Sequence, residues 1–334
     1  MPPPDTLVIP FDSAQTVLLR TLDSLDPANK DANEQWVSTI LQHTRGQADE
    51  GTRHSDLYYF ALVFFVVTII ILFHYIGAFI KRQWTNRYYK KELSKVDATL
   101  NEQQADYHTI LEQFNPYYAG LDSSLQQRFL RRTIMFMRQK QFRFHSLKPD
   151  SQIALLVSGA AVQMTFGLKN YLLDYFPTIH IIRNDYELEM DHETYYGHVS
   201  KTGIYIAWNR FREGFADYED GINVGLHEMA HAVSFDVFLG QVDRHDMAFR
   251  QRLEEFSEEG LPVFRAMRAG TRHLLDNYGA TNFDEFWAVC AETFFENPEA
   301  FKQNLPDLYF AMAELLNQDP LLRAKIINHE LAGD

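Results

Sequence analysis

Residues 221–236 read GINVGLHEMAHAVSFD and predict an α-helix with an apolar face, formed by Ile222, Leu226, Met229, Ala230 and Val233. His227 and His231 are four residues apart, so on a helix they lie on the same face, about one turn from each other. Two imidazoles at this spacing can bind one metal ion, and zinc suits neutral imidazole ligands. The segment therefore predicts a zinc-binding helix.

Glu228 follows the first histidine and is placed to act on a water at such a metal, as the general base of a hydrolase. A catalytic zinc needs a third protein ligand and one open position. The spacing to His245 does not match the elongated histidine motif of the metzincins, so a carboxylate on a later helix is favoured. Residues 276–301, DNYGATNFDEFWAVCAETFFENPEAF, contain the three candidates Glu285, Glu292 and Glu296. Glu285 and Glu292 are seven apart and share a helix face, so one can bind the metal with the other behind it.

Several segments resemble the Mlc titration factor A peptidases. They are NVGLHEMAH at 223–231, YGATNFDEFWAVCAETFF at 278–295, PDLYFAMAELLNQDP at 306–320, and upstream SQIALLVSGAAVQMTFGL and GIYIAWNRFREGF. The resemblance covers about residues 115–325. More distantly, the Tyr-Gly-x-Thr-Asn run before a glutamate resembles the protease domain of anthrax lethal factor.

The resemblance implies one Zn²⁺ per chain, bound by His227, His231 and Glu285, with Glu228 as the catalytic base. It favours Glu285 because this residue lies seven positions after Tyr278, the Tyr-to-Glu spacing of both relatives. Tyr278 is then the candidate catalytic donor of a hydrogen bond to the developing oxyanion. The implied fold is α+β: a mostly helical, zincin-like (gluzincin) metallopeptidase domain with a small β-sheet.

The chain departs from the family pattern after the second histidine. The relatives have an aspartate three residues later, where this chain has Ser234, with Asp236 two positions further on. The orientation of His231 is therefore expected to differ. Elsewhere, His192 and His198 are interpreted as surface histidines and Cys290 as a small core residue.

Residues 57–80, LYYFALVFFVVTIIILFHYIGAFI, contain no Asp, Glu, Lys or Arg and predict a single transmembrane helix. Five basic residues, Lys81, Arg82, Arg87, Lys90 and Lys91, follow this run and predict a cytoplasmic side there. We expect a single-pass protein, in a bacterial inner membrane, with the N-terminus outside and the peptidase domain in the cytoplasm. Residues 57–80 would contact the lipid bilayer.

The predicted organisation is an N-terminal tail at 1–56, the transmembrane helix at 57–80, a juxtamembrane stalk at 81–114 and a metallopeptidase domain at 115–334. Helical periodicity predicts helices over 122–141 and 151–166. Two short β-like runs, at 177–183 and 203–208, predict the small sheet. From about Asp217 onward the pattern is mainly helical.

The composition excludes several classes of protein. The net charge of −14 argues against a nucleic-acid partner, because neutralising phosphates requires clustered Lys and Arg. One cysteine in 334 residues allows neither an intramolecular disulfide nor a cysteine zinc knuckle.

We therefore expect a membrane-anchored zinc peptidase, aminopeptidase-like in type, that cleaves a peptide or protein substrate with a metal-activated water. The alternative is a regulatory module that binds and sequesters a transcriptional regulator, with a mainly structural zinc site.

Overall fold

The computed structural model describes residue 20 and residues 30–45, 53–187, 194–218, 220–239, 244–271 and 274–322. The chain divides into two compact units, Met1–Lys91 and Glu92–Asp334, and every predicted metal ligand lies in the second. The described residues do not include most of the predicted tail at 1–56, and they do not include His192.

The described elements are, in chain order, α1 Lys30–Arg45, α2 Arg53–Phe114, α3 Pro116–Ala119, α4 Ser123–Gln139, β1 Gln141–His145, α5 Ser151–Thr165, β2 Thr178–Ile182, β3 Tyr186–Glu187, β4 Thr194–Tyr195, β5 Gly197–Ser200, β6 Gly203–Ala207, α6 Trp208–Ala216, α7 Val224–Leu239, α8 Arg244–Arg268, a 3₁₀ turn Asn277–Ala280, α9 Phe283–Glu296, α10 Pro298–Asn304 and α11 Pro306–Leu316. This order confirms a mostly helical α+β protein with a small sheet. The predicted helices at 122–141 and 151–166 correspond to α4 and α5, and the predicted strands to β2 and β6.

The apolar run at 57–80 lies within α2, a helix of 62 residues. Across the described part of the chain, no helix combines the length and the apolar character that a membrane crossing requires. The predicted single-pass membrane location with a cytoplasmic domain is therefore wrong, and the predicted transmembrane helix and its bilayer contact are not found among the described residues.

The main sheet has the strand order β1-β2-β6-β5. β1, β2 and β6 are parallel, whereas β5 runs antiparallel to β6 and forms an edge. β2 is buried along nearly its whole length, as its apolar sequence TIHII predicts for a central strand. Ile179 and Ile181 of β2 pack in the core with Ile204 and Ile206 of β6. β5 and β6 also contact α7, the helix that carries His227 and His231.

Helix α7, which carries both histidines, is buried on most of its circumference and contacts β5, β6, α5, α6 and α9. Small residues allow these close approaches. A Cβ on Gly225 would lie 2.7 Å from the ring of Phe211 in α6, so only glycine fits there. On another side of α7, Trp287 Nε1 of α9 donates a hydrogen bond of 3.0 Å to the carbonyl oxygen of Ala230. These contacts hold α7 against α9, which carries the carboxylates.

Candidate metal centre

Two asparagine caps begin the helices that carry the candidate ligands. Asn223 Oδ1 accepts a hydrogen bond from the backbone N–H of Leu226 at the start of α7. Asn282 Oδ1 accepts from the backbone N–H groups of Asp284 and Glu285 at the start of α9. Such caps satisfy N–H groups that have no partner inside the helix. They place His227 in the first turns of α7 and Glu285 in the first turn of α9.

The structure brings together His227, His231 and Glu285. Glu285 Oε2 lies 2.9 Å from His227 Nε2 and 3.3 Å from His231 Nε2, and the two Nε2 atoms are 3.1 Å apart. Ligands about 2.0–2.2 Å from a tetrahedral zinc are about 3.3–3.6 Å from one another. The three atoms therefore approximate one face of a tetrahedral site, slightly contracted.

Glu292 contacts the opposite edge of His227. Its Oε1 lies 2.7 Å from His227 Nδ1, and its Oε2 accepts a hydrogen bond from the backbone N–H of Asn223. An ionised carboxylate can only accept a hydrogen bond. Nδ1 of His227 therefore carries a proton and donates a hydrogen bond to Glu292. Nε2 then faces Glu285 and His231, and it offers its lone pair to a metal ion once it has lost its own proton. Glu292 thus lies behind the histidine, and the seven-residue spacing within α9 separates a candidate ligand from its support.

The donor set fits a divalent cation. Lone pairs on nitrogen and carboxylate oxygen atoms within 2.9–3.3 Å repel one another unless a positive charge lies between them. Burial opposes a charge on His227, but its hydrogen bonds to Glu285 and Glu292 raise the pKa of the ring to about 10. The surroundings of His227 thus favour a positive charge. A bound metal ion would supply that charge in place of the protons that it displaces from its ligands.

Glu228 projects from the same helix and is 5% exposed. Its Oε2 has no hydrogen-bond partner within the described structure. On its other side, a Cβ on Gly197 of β5 would lie 2.5 Å from Glu228 Oε1, so the edge strand passes directly against the carboxylate. Burial raises the pKa of Glu228 to about 7, although His227 and His231 act to lower it. The arrangement leaves one buried carboxylate oxygen available to a water or substrate group.

Tyr278 lies in the 3₁₀ turn before α9, where Asp276 Oδ1 accepts the backbone N–H of Tyr278 at 2.7 Å. The ring centroids of Tyr278 and His227 are 5.8 Å apart, and Tyr278 is 54% exposed. The phenol is therefore beside the candidate ligands and accessible from solvent.

The remaining sequence predictions fall outside this cluster. Asp236 Oδ1 accepts the backbone N–H of Tyr175 at 2.7 Å, so it helps to fix the loop before β2. His198 lies on β5, where its Nδ1 is 2.6 Å from the hydroxyl of Tyr186, and burial lowers its pKa. It is thus not the surface histidine that we expected. Cys290 is completely buried, as expected for a core residue, and burial raises the pKa of its thiol.

Sequence reasoning missed the structural role of Asn223 and misplaced Glu296 among the ligand candidates. The side-chain amide of Asn223 donates to Glu296 Oε1 at 2.9 Å, while its backbone N–H donates to Glu292. One asparagine therefore links the start of α7 to two carboxylates of α9. The only sequence signal for this role was an asparagine at a helix start, which predicts a cap but not its partners.

Replacing Glu296 with glutamine is expected to remove a pH-dependent loss of stability. Burial raises the pKa of Glu296 from 4.5 to about 8, despite the hydrogen bond from Asn223. The folded state therefore holds a proton that the unfolded state loses above about pH 4.5, and stability falls as pH rises from there to about 8. The free energy of unfolding of the Glu296→Gln variant, taken relative to that of the parent chain, should increase by on the order of 1–3 kcal/mol between pH 5 and pH 8.5.

Urea unfolding at both pH values measures this difference. Glu299→Gln, which changes an exposed glutamate in the next helix, is the control. An equal pH dependence in the parent chain and the Glu296→Gln variant would show that Glu296 ionises normally.

Together, the helical α+β architecture and the His-His-Glu cluster define a metallopeptidase-like fold. The chain matches the family Glucose-regulated metallo-peptidase M90 over residues 86–316 and belongs to that family.

Named proteins with similar sequences support the same assignment. Mlc titration factor A of Cronobacter sakazakii is 26% identical over 237 residues, which is 63% of this chain and 86% of that protein. Mlc titration factor A of Yersinia pestis is 25% identical over 277 residues, which is 73% of this chain and 96% of that protein. An uncharacterized protein of Synechocystis is 24% identical over 235 residues, covering 65% and 85% of the two chains. The predicted resemblance is thus confirmed at the level of the family.

Proposed function

We propose that this chain is a zinc peptidase that hydrolyses peptide bonds in peptides or proteins, and that residues 115–334 form its catalytic domain. His227, His231 and Glu285 would hold the zinc. The observation that supports this proposal most directly is the cluster of three ligand atoms next to a buried carboxylate oxygen of Glu228 that has no described partner. A structural metal site has no need of such a neighbouring base.

When bound, zinc supplies a Lewis acid that polarises a carbonyl group and lowers the pKa of a water. Glu228 takes a proton from the attacking water and passes it to the leaving amine. Glu292 holds the proton on Nδ1 of His227, which keeps the Nε2 lone pair directed at the site. Tyr278 donates a hydrogen bond to the oxygen on which negative charge develops.

Metal removal tests the proposal. The purified full-length chain should contain one zinc per chain and should hydrolyse short chromogenic aminoacyl or peptide substrates. Treatment with 1,10-phenanthroline should abolish hydrolysis, and added zinc should restore it. Zinc-loaded protein that cleaves neither substrate class would refute the proposal. Cleavage of aminoacyl substrates alone would support the aminopeptidase-like form of the prediction.

Replacing Tyr278 with phenylalanine tests the oxyanion role. Because phenylalanine keeps the ring and loses only the donor, kcat should fall by roughly 100-fold while KM changes little. The matched control is Tyr196→Phe, since Tyr196 is also an exposed tyrosine in the same unit. A Tyr278→Phe variant with an unchanged kcat would remove Tyr278 from the mechanism.

A second candidate function is the binding of a transcriptional regulator. Its support is the name of the relatives, Mlc titration factor A, which records titration of Mlc by those proteins. If regulator binding is the whole function, the chain will bind zinc without cleaving any test substrate, and Glu228→Gln will leave regulator binding unchanged.

A further inference from the structure

A cavity of about 500 Å³ opens in the unit Glu92–Asp334, and none of its lining residues belongs to the candidate metal centre. One wall is an aromatic row on α6. The ring centroids of Trp208 and Phe211 are 5.3 Å apart, and those of Phe211 and Phe215 are 4.8 Å apart. Ile153 and Leu156 of α5 also line the cavity. Its volume and apolar lining match those of small-molecule sites, which usually measure about 300–1,000 Å³.

The charged groups at this cavity are not equally available to a ligand. Asp150 Oδ1 accepts the backbone N–H of Gln152 at 2.8 Å and so caps α5. Glu213 Oε2 accepts a hydrogen bond of 3.0 Å from Arg210. Arg212 is exposed and takes part in no ion pair or hydrogen bond within the part of the chain that the structure describes. Arg212 is therefore the charged lining group that has neither an ion pair nor a helix-capping role among the described residues.

We propose that this cavity binds an apolar molecule with one carboxylate, of the medium-chain fatty acid class. The hydrocarbon chain would lie against the aromatic row, where burial of apolar surface drives binding. The carboxylate would pair with the guanidinium of Arg212, whose planar fork matches carboxylate geometry. A more highly charged anion, such as a phosphate monoester, fits less well because Asp150 and Glu213 would repel it.

Calorimetric titration of the full-length chain with decanoate, decylamine and decanol tests the head-group preference. All three probes carry the same ten-carbon chain. Decanoate and decylamine are used below their micelle concentrations, and decanol is used below its solubility limit. Decanoate should bind with one site per chain and at least about tenfold more tightly than decylamine, with decanol between them. Absence of decanoate binding at millimolar concentration, or equal affinity for the three probes, would overturn the proposal.

Two variants locate the site. Arg212→Gln should weaken decanoate binding by roughly threefold to tenfold and leave decanol binding unchanged, because the pairing is partly exposed to solvent. Ala216→Trp should block all three probes, since Ala216 is an exposed lining residue and a larger side chain there enters the cavity without disturbing the core. Circular dichroism checks that both variants fold.

The matched control is Arg143→Gln, which removes an exposed arginine from the edge strand β1. It should bind decanoate like the parent chain. Decanoate binding that is insensitive to both Arg212→Gln and Ala216→Trp would place the probe elsewhere on the chain and refute the assignment. Because none of these measurements requires peptide hydrolysis, they remain informative if the chain proves to be no peptidase.

Discussion

Peptide hydrolysis by the Glu228→Gln variant is expected to be about 1000-fold slower than that by the parent chain, with zinc still bound. Glutamine has nearly the same shape as glutamate but does not take up the proton of the attacking water. The metal ligands proposed here do not include Glu228, so the zinc content should remain at one per chain. Steady-state kinetics and elemental analysis of the same preparation measure the two quantities.

The control for this experiment is Glu254→Gln, a change of the same chemistry at an exposed position of α8. It should leave both kcat and zinc content unchanged. If Glu228→Gln retains most of the activity, the base must be another group. If it loses its zinc, the adjacent carboxylate contributes to metal binding, and the catalytic role would be unsupported.

Replacing Glu285 with alanine is expected to lower zinc affinity by more than 100-fold, which exceeds the effect of the same change at Glu292. Loss of a hydrogen-bonding partner behind a metal ligand typically costs about 10- to 100-fold in affinity. Glu285 approaches both histidine Nε2 atoms, whereas Glu292 contacts Nδ1 of His227 on the other edge of the ring. We therefore expect Glu285→Ala to be the more damaging variant.

Competition with a zinc-binding dye gives both affinities, and the visible spectrum of the cobalt-substituted protein reports the ligand set. Glu285→Ala should change the cobalt spectrum strongly, and Glu292→Ala only slightly. The reverse order would make Glu292 the ligand. Glu296→Ala provides a comparison, because it removes a third carboxylate of the same helix. Within the described residues, Glu296 accepts a hydrogen bond from Asn223 and makes none with either histidine.

The two histidines illustrate what a local pattern is able to predict. A four-residue spacing on a helix places both side chains on one face whatever surrounds the helix. The same reasoning placed Glu285 and Glu292 on a shared face of α9. It could not assign their separate contacts, because these depend on how α9 packs against α7.

Other features of the site depend on segments far apart in the sequence. Gly197 lies against Glu228 because the edge strand β5 passes beside α7, and a single glycine in a short strand does not reveal this contact. Asn223 joins Glu292 and Glu296 across about seventy residues of chain. The unusual pKa of Glu296 follows from burial, which only the packed structure determines.

The prediction of a membrane helix failed on a different point. It relied on the composition of 57–80 as an isolated run, whereas the described helix α2 continues to Phe114 through a polar segment. Among the described residues, no helix meets the combined requirement of length and apolar character for a crossing.

For this protein, the motifs of the sequence predicted the family, and local spacing predicted the helix of the two candidate histidine ligands and the helix of the candidate carboxylates, because short-range spacing depends on local backbone geometry. Spacing left Glu285 and Glu292 open and the family resemblance favoured Glu285, but only the tertiary structure showed Glu285 in contact with both Nε2 atoms and Glu292 behind His227. It also revealed the cavity beside Arg212. These features arise from the packing of α6, α7 and α9, and packing is a property of segments that are distant in the chain.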